Sequence, residues 1–243
     1  MLKKTLLTAA LASTLMTGAS IASADSAWST SANVALTNDY KFRGISQSDE
    51  SAALQGGFDL SHESGFYVGA WASSVDFDTN GGGLDGSLEL DYYVGYGADI
   101  GDSGFSYDVG VMAYTYPGDS GLEGDYNEIY GSIGWQDLTV GLIYSDDYYA
   151  ETDEFTYLYA DYSFALPNDF SLDLHVGYNM LEEDGGFLSS DEDAYTDYSV
   201  SISRDVMGLN IAVAYVGTDL DDDDLFGTDW GDGALIGTLS ASF

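Results

Sequence analysis

Twelve segments of this 243-residue chain alternate apolar and polar residues, and the connections between them are by turns short and long. A period of two sends successive side chains to opposite faces of a strand. The cleanest segment, about 87–100, puts Leu88, Leu90, Tyr92, Val94, Tyr96, Ala98 and Ile100 on one face. Glu89, Asp91, Tyr93, Gly95, Gly97 and Asp99 fall on the other. The remaining segments lie at about 30–42, 52–62, 66–77, 105–116, 125–135, 138–148, 155–166, 170–180, 195–206, 209–218 and 233–243. Only 66–77 is ambiguous: Phe66, Val68 and Ala70 compete with Tyr67, Trp71 and Val75 for the apolar side.

The connections near 63–65, 101–104, 136–137, 167–169 and 206–208 are short. Those near 43–51, 78–86, 117–124, 149–154, 181–194 and 219–232 are longer and rich in acid. An even number of strands with short turns at one end and long loops at the other is the pattern of a transmembrane barrel. The predicted fold is therefore all-β: an antiparallel, up-and-down transmembrane β-barrel of about twelve strands. Its last segment, ending in Phe243, closes the ring against residues 30–42. Twelve strands would make only three propeller blades, fewer than the usual minimum of four. A secreted sandwich shares the alternation but not the alternation of loop lengths. Aromatics beside the short turns (Phe66, Phe105, Trp135, Phe164, Phe170, Phe243) suggest one interfacial girdle. Those beside the loops (Tyr40, Phe42, Phe77, Tyr116, Tyr126, Tyr148, Phe155) suggest a second.

Residues 1–24 read as a signal peptide: Lys3 and Lys4, then an apolar run from Leu6 to Met16, then Ala22-Ser23-Ala24. Residues 25–243 form the barrel, placed in the Gram-negative outer membrane. The chain carries 42 acidic and five basic residues, a formal net charge of −37. Such a balance excludes nucleic acid as a partner. There is no cysteine, hence no disulfide or thiolate site.

Several stretches resemble the TorF family of outer-membrane porins. They are Ala32 to Ser48, Leu54-Gln-Gly-Gly-Phe58, Gly65-Phe-Tyr-Val-Gly69, Leu90 to Tyr96, Tyr114-Thr-Tyr-Pro-Gly118 and Tyr126-Asn-Glu-Ile-Tyr130. Tyr40 to Ser46 is the most specific piece. The resemblance implies an outer-membrane location and a porin fold, and it carries over no catalytic residues. It also implies that the aromatic-ended last strand is read by the outer-membrane assembly machinery, a partner alongside the membrane lipid.

With the apolar faces outward, the candidate pore-lining residues are Asp39, Lys41, Arg43, Asp59, Glu89, Asp91, Asp108, Glu128, Asp161 and Asp173, with Asp99, Asp197 and Asp205 beside them. Inward glycines and serines such as Gly95, Gly97, Gly110, Gly177, Ser199 and Ser201 leave room along the wall. An acid-lined, low-dielectric lumen concentrates cations. The function expected is passive diffusion of small solutes, biased toward cations. The alternative is a non-conducting structural barrel whose acidic loops engage divalent ions or partners. Lys41 and Arg43 form either a buried ion-pair cluster, the simpler reading, or an anion-binding patch. Arg204 shares the parity of Ile202 beside a turn and is placed to snorkel. No catalytic residue, cofactor site or metal-ligand set is assigned. His62-Glu-Ser64 has a suggestive spacing for a lipase but falls at a short turn, away from outer-leaflet lipid, and His175 has no serine partner that sequence can place. The acids of 182–184, 191–193 and 219–224 lack the spaced pattern of an EF-hand.

Overall fold

The computed structural model describes residues 21–22, 26–77, 86–119, 124–182 and 186–243. The greater part of the expected signal segment, most of the Gly-rich connection after Phe77, and Glu183 and Asp184 lie outside the described residues. Twelve long strands follow one another: β1 (Trp28–Thr37), β2 (Ala53–His62), β3 (Phe66–Ser74), β4 (Leu88–Asp99), β5 (Phe105–Thr115) and β6 (Tyr126–Trp135). They continue as β7 (Leu138–Ser145), β8 (Phe155–Leu166), β9 (Phe170–Leu181), β10 (Ala194–Val206), β11 (Leu209–Thr218) and β12 (Ala234–Ser242). Ile21–Ala22 adds a short pairing with Thr30 and Ser29 of β1.

Every strand pairs antiparallel with its neighbour in sequence, and β12 pairs with β1. Leu239 faces Leu36 and Ser242 faces Asn33 across that seam. Phe243 and Ala32 exchange backbone hydrogen bonds of 2.9 and 3.1 Å. The sheet is thus closed and has no free edge, as a lipid-embedded sheet requires. Tight turns fix the register at one end. Met207 and Gly208, both at positive φ, join β10 to β11 in the two-residue geometry that matches strand twist.

The outward faces are apolar: Leu36, Phe58, Val68, Val111, Ile129, Leu142, Leu158, Val176, Ile202 and Val213 are all exposed. Among the described residues, the only Asp, Glu, Lys or Arg on the outward face of the twelve strands is Arg204, beside the β10–β11 turn and over the Phe170 ring. The ambiguous β3 turns Phe66 and Val68 outward and buries Tyr67. Trp28, Phe66, Phe105, Trp135, Phe164 and Phe243 ring the short-turn end.

The second girdle differs from the one expected. Tyr40, Phe77, Tyr116, Tyr126, Tyr148 and Phe155 are buried inside the barrel mouth, with Phe42 packed against them. Parity is the reason for two of them: Tyr126 shares the inward face of Glu128, and Phe155 that of Tyr157. The others sit on connections that fold into the mouth. The lipid-facing aromatics toward the loop end are Tyr92, Tyr144, Tyr178, Tyr198 and Tyr215.

Candidate functional site

β1 ends at Thr37, five residues short of the expected strand end, and the chain then turns into the barrel. Thr37 Oγ1 donates to the Asp39 carbonyl at 2.8 Å. The Asp39 carboxylate accepts from Ser46 Oγ at 2.7 Å and Ser48 Oγ at 3.1 Å. These bonds fold a small hairpin in which Lys41–Phe42 pairs with Ile45–Ser46. Its tip, Arg43-Gly44, has positive φ at both residues. Only glycine fits at position 44: a Cβ there would meet Thr218 Cγ2 at 2.4 Å and the Gly217 carbonyl at 2.9 Å. Lys41 and Arg43 are therefore not wall residues of the first strand. They belong to a hairpin that fills the mouth.

The hairpin is anchored on two sides. Lys41 Nζ donates to the carbonyls of Trp230 and Asp232, both at 2.8 Å, and Ser46 N donates to Trp230 O at 3.0 Å. Burial pulls the Lys41 ammonium below its ordinary range, against the opposing pull of Asp39, Glu50 and Asp232. Arg43 reaches the opposite wall. Its Nη2 meets Glu128 Oε1 at 2.7 Å, and its Nη1 donates to Tyr148 OH at 3.1 Å. The guanidinium lies 4.6 Å from the ring centroids of Phe42, Phe155 and Tyr157. Tyr114 OH donates to the other Glu128 oxygen at 3.0 Å. A buried arginine is tolerable in this setting because its charge is paired and its plane is stacked.

Around this pair the outer half of the lumen is packed with rings. Tyr148 stacks on Phe155 at 4.1 Å and Tyr114 on Tyr126 at 4.4 Å. Contrary to the expectation from sequence, inward glycines such as Gly95, Gly110 and Gly177 leave no room along the wall; tyrosines occupy it. Tyr67 faces Gly95, Tyr93 faces Gly69, Tyr130 faces Gly110 and Tyr159 faces Gly141 across adjacent strands. In each pair the ring lies where a Cβ on the glycine would sit, and Tyr157 covers Gly177 in the same way. Each ring lies against the wall over its glycine, and the hydroxyls of Tyr67, Tyr93 and Tyr130 bond neighbouring wall side chains. Tyr67 OH donates to Asp108 at 2.7 Å and lies 2.6 Å from Tyr130 OH, and Tyr93 OH donates to Asp59.

Burial is graded along the barrel. On β8, Phe155, Tyr157 and Tyr159 are buried, Asp161 and Ser163 half-buried, and Ala165 exposed. On β9, Asn179 and Gly177 are buried, while His175, Asp173 and Ser171 are half-buried. On β10, Tyr195 to Ser201 bury their inward positions, Ser203 is half-buried and Asp205 is exposed. β6 repeats the trend, while Tyr67 on β3, Asp108 on β5, Ala212 on β11 and Ser240 on β12 are buried near the short-turn end and depart from it. The lumen is closed toward the long loops and open as a polar vestibule toward the short turns.

All ten candidate pore-lining residues face the interior, on two structures. Asp59, Glu89, Asp91, Asp108, Glu128, Asp161 and Asp173 project from the wall; Asp39, Lys41 and Arg43 stand on the hairpin. Only Arg43 and Glu128 meet directly as an ion pair among them. His175 joins Asp161 at 2.6 Å and Asp197 at 2.9 Å. Its register partner is Ser199, but both imidazole nitrogens engage carboxylates. His62 Nδ1 lies 2.8 Å from Ser64 Oγ, exposed at the short-turn rim. The wall tyrosines were missed as site residues; their parity opposite the outward apolar residues Val68, Val94, Ile129 and Leu158 was the available signal. Among the described residues no group of three or more His, Cys, Asp or Glu is arranged to hold a metal.

A closed meander of twelve antiparallel strands, apolar outside and polar within, is the porin-like barrel of the Gram-negative outer membrane. The chain belongs to the Gcw_chp family, described as a bacterial protein of unknown function, whose model matches residues 21–243. No curated protein matches the sequence. Among solved structures it is similar to the KdgM porin, with a TM-score of 0.55 at 10% identity, covering 88% of this chain and 98% of that one. It is also similar to the NanC porin, with a TM-score of 0.55 at 10% identity, covering 87% and 98%. A KdgM porin in complex with disordered oligogalacturonate gives a TM-score of 0.53 at 11% identity, covering 88% and 98%. At these identities the likeness is one of fold.

Proposed function

We propose that the protein is an outer-membrane channel for passive diffusion of small solutes, biased toward cations, whose mouth is closed by the Asp39–Ser48 hairpin. The observation that carries this reading is the sign of the inward charge. Ten Asp and Glu residues project inward from the strands, and none projects outward. The cations that face them are Arg43, already paired with Glu128, Lys41, held by backbone carbonyls, and His175 if protonated. Field lines from the remaining carboxylates are focused by the low-dielectric wall, which enriches cations in the vestibule. A polyanion such as the oligogalacturonate bound by KdgM would be repelled from such a lumen. The resemblance to TorF porins supports the same reading, and the last strand is the segment expected to engage the assembly machinery.

The filled outer half favours a second reading, a barrel that never conducts. Planar-bilayer recording under a KCl gradient separates the two. Openings with a cation-selective reversal potential are expected; silence, or anion selectivity, would overturn the channel reading.

A further inference from the structure

Beneath the hairpin, Glu89 and Asp91 sit side by side on the inward face of β4, with 1% and 0% of their surfaces exposed. Glu89 Oε1 accepts a hydrogen bond from Tyr40 OH at 3.2 Å. Among the described residues, Glu89 Oε2 and both Asp91 oxygens receive no hydrogen bond from any other residue, and the two carboxyl groups lie within hydrogen-bond reach of each other. Buried carboxylates ordinarily draw donors toward themselves. Here the adjacent donors turn away. Ser73, the register partner of Glu89, gives its hydrogen to the Ser74 carbonyl. Tyr114, the register partner of Asp91, gives its own to Glu128. Arg43 is bound to Glu128, Lys41 to the β11–β12 connection and His175 to Asp161 and Asp197, so none of these cations serves the pair. Among the described residues, three acceptor oxygens of two adjacent carboxyl groups therefore share one enclosed place with no donor from another side chain.

Water could supply hydrogens there, but not the missing charge. Two carboxylates left charged and uncompensated at this depth are costly, so the pair either holds protons or holds a cation. Hard oxygen donors of this kind suit an alkaline-earth ion, whose two charges would neutralise both groups. We propose that Glu89 and Asp91 form a buried binding site for a divalent cation of the Ca²⁺ type, roofed by Tyr40 of the hairpin. The site joins the hairpin to the wall through the Tyr40–Glu89 bond, so ion binding also stabilises the closed mouth. This inference does not depend on conduction: a barrel that never opens can hold the ion equally well.

The probe is Tb³⁺, which replaces Ca²⁺ at oxygen sites and is excited through nearby tyrosine and tryptophan. The full chain would be refolded in detergent with Tb³⁺. Saturable emission, displaced by Ca²⁺, is expected from the wild type and from a D222N/D223N loop variant. In E89Q/D91N the affinity should fall by on the order of 10–100-fold, the range seen when even supporting groups of a metal site are lost. Equal emission from E89Q/D91N and wild type would sink the proposal. So would a wild-type thermal midpoint that is unmoved between Ca²⁺ and EDTA, since the two carboxyl groups would then be sharing a proton instead. That last measurement needs no variant and stands even if E89Q/D91N fails to fold.

Discussion

The two halves of the lumen are built on the same twelve strands and the same alternation, yet they hold opposite contents. Toward the long loops the inward positions are Tyr114, Tyr126, Glu128, Phe155, Tyr157 and Tyr195, all buried, with Arg43 driven in among them. Toward the short turns they are Ser132, Asp161, Ser163, Asp173 and Ser203, all half-buried. The wall sets which side chains point inward; it does not set whether they meet a solid or water. The hairpin after β1 makes that difference. It brings its own charges and rings, and the outer wall positions are the ones shaped to receive them.

The largest expected effect comes from withdrawing the hairpin's anchor. Arg43→Ala leaves Glu128 buried beside only tyrosine donors, and breaking a buried ion pair costs about 3–5 kcal/mol. Urea unfolding in detergent should show a loss of that order, and bilayer recording should show larger or more frequent openings than the wild type. R43M/E128Q should recover much of the stability, because an intact buried pair contributes little beyond an apolar pair of similar shape. If R43A neither destabilises nor opens the barrel, the two halves do not differ in the way described.

The hairpin was the least legible part of the chain. Tyr40, Lys41 and Phe42 keep the phase of β1, with Asn38 the single polar residue on its apolar face between Ala32 and Phe42, so period two runs on through a point where the backbone turns. Gly44 was the local sign, but its need for positive φ and for close approach to Thr218 emerges only in the folded chain. Most strands were legible to within a residue or so, with β8 at 155–166 and β11 at 209–218 as expected, because one face must be apolar along its whole length; β1, β3 and β7 end three to five residues early, at the loop end. The wall acids followed from the same parity. The tyrosine–glycine pairs did not, since they depend on cross-strand register, and a single strand's pattern carries no information about its neighbour's phase.

Those pairs provide a test of intermediate size. Gly95→Ala would place a Cβ about where the Tyr67 hydroxyl and ring now lie, at 2.2 and 2.3 Å. The ring would have to leave, together with its bonds to Asp108 and Tyr130. Overpacking of this kind costs about 1–3 kcal/mol. Gly131, on the outward face of β6, meets nothing nearer than Val109 Cγ1 at 3.6 Å. Gly131→Ala should be neutral or stabilising by about 0.5–1 kcal/mol. Unfolding midpoints that do not separate the two substitutions would mean that the rings are not held on the wall.

Ser48→Ala removes one of the two hydroxyls that accompany Asp39, along with the bond from Tyr40 N to Ser48 Oγ. Hydrogen bonds of this type contribute about 0.5–1.5 kcal/mol each. The barrel should lose about that much stability, and the hairpin should become more accessible to protease from the loop side. Protease resistance equal to the wild type would show that Lys41 and Arg43 hold the hairpin without help from its own internal bonds.

The smallest effect on stability, and the most direct one on selectivity, belongs to the vestibule. Asp173 is half-buried, is held only by Ser163 Oγ at 2.7 Å and has no cation opposite it. Asp173→Asn keeps the shape and an acceptor for the serine, so unfolding should move by less than about 0.5 kcal/mol. One negative charge is nevertheless removed from a wall where few positive charges balance the acids. In the R43A background, where openings are frequent enough to measure, D173N should shift the reversal potential toward lower cation preference. An unchanged potential would place the selective step in the outer half, among Glu89, Asp91 and Glu128, and the open vestibule would then be an entry and not a filter.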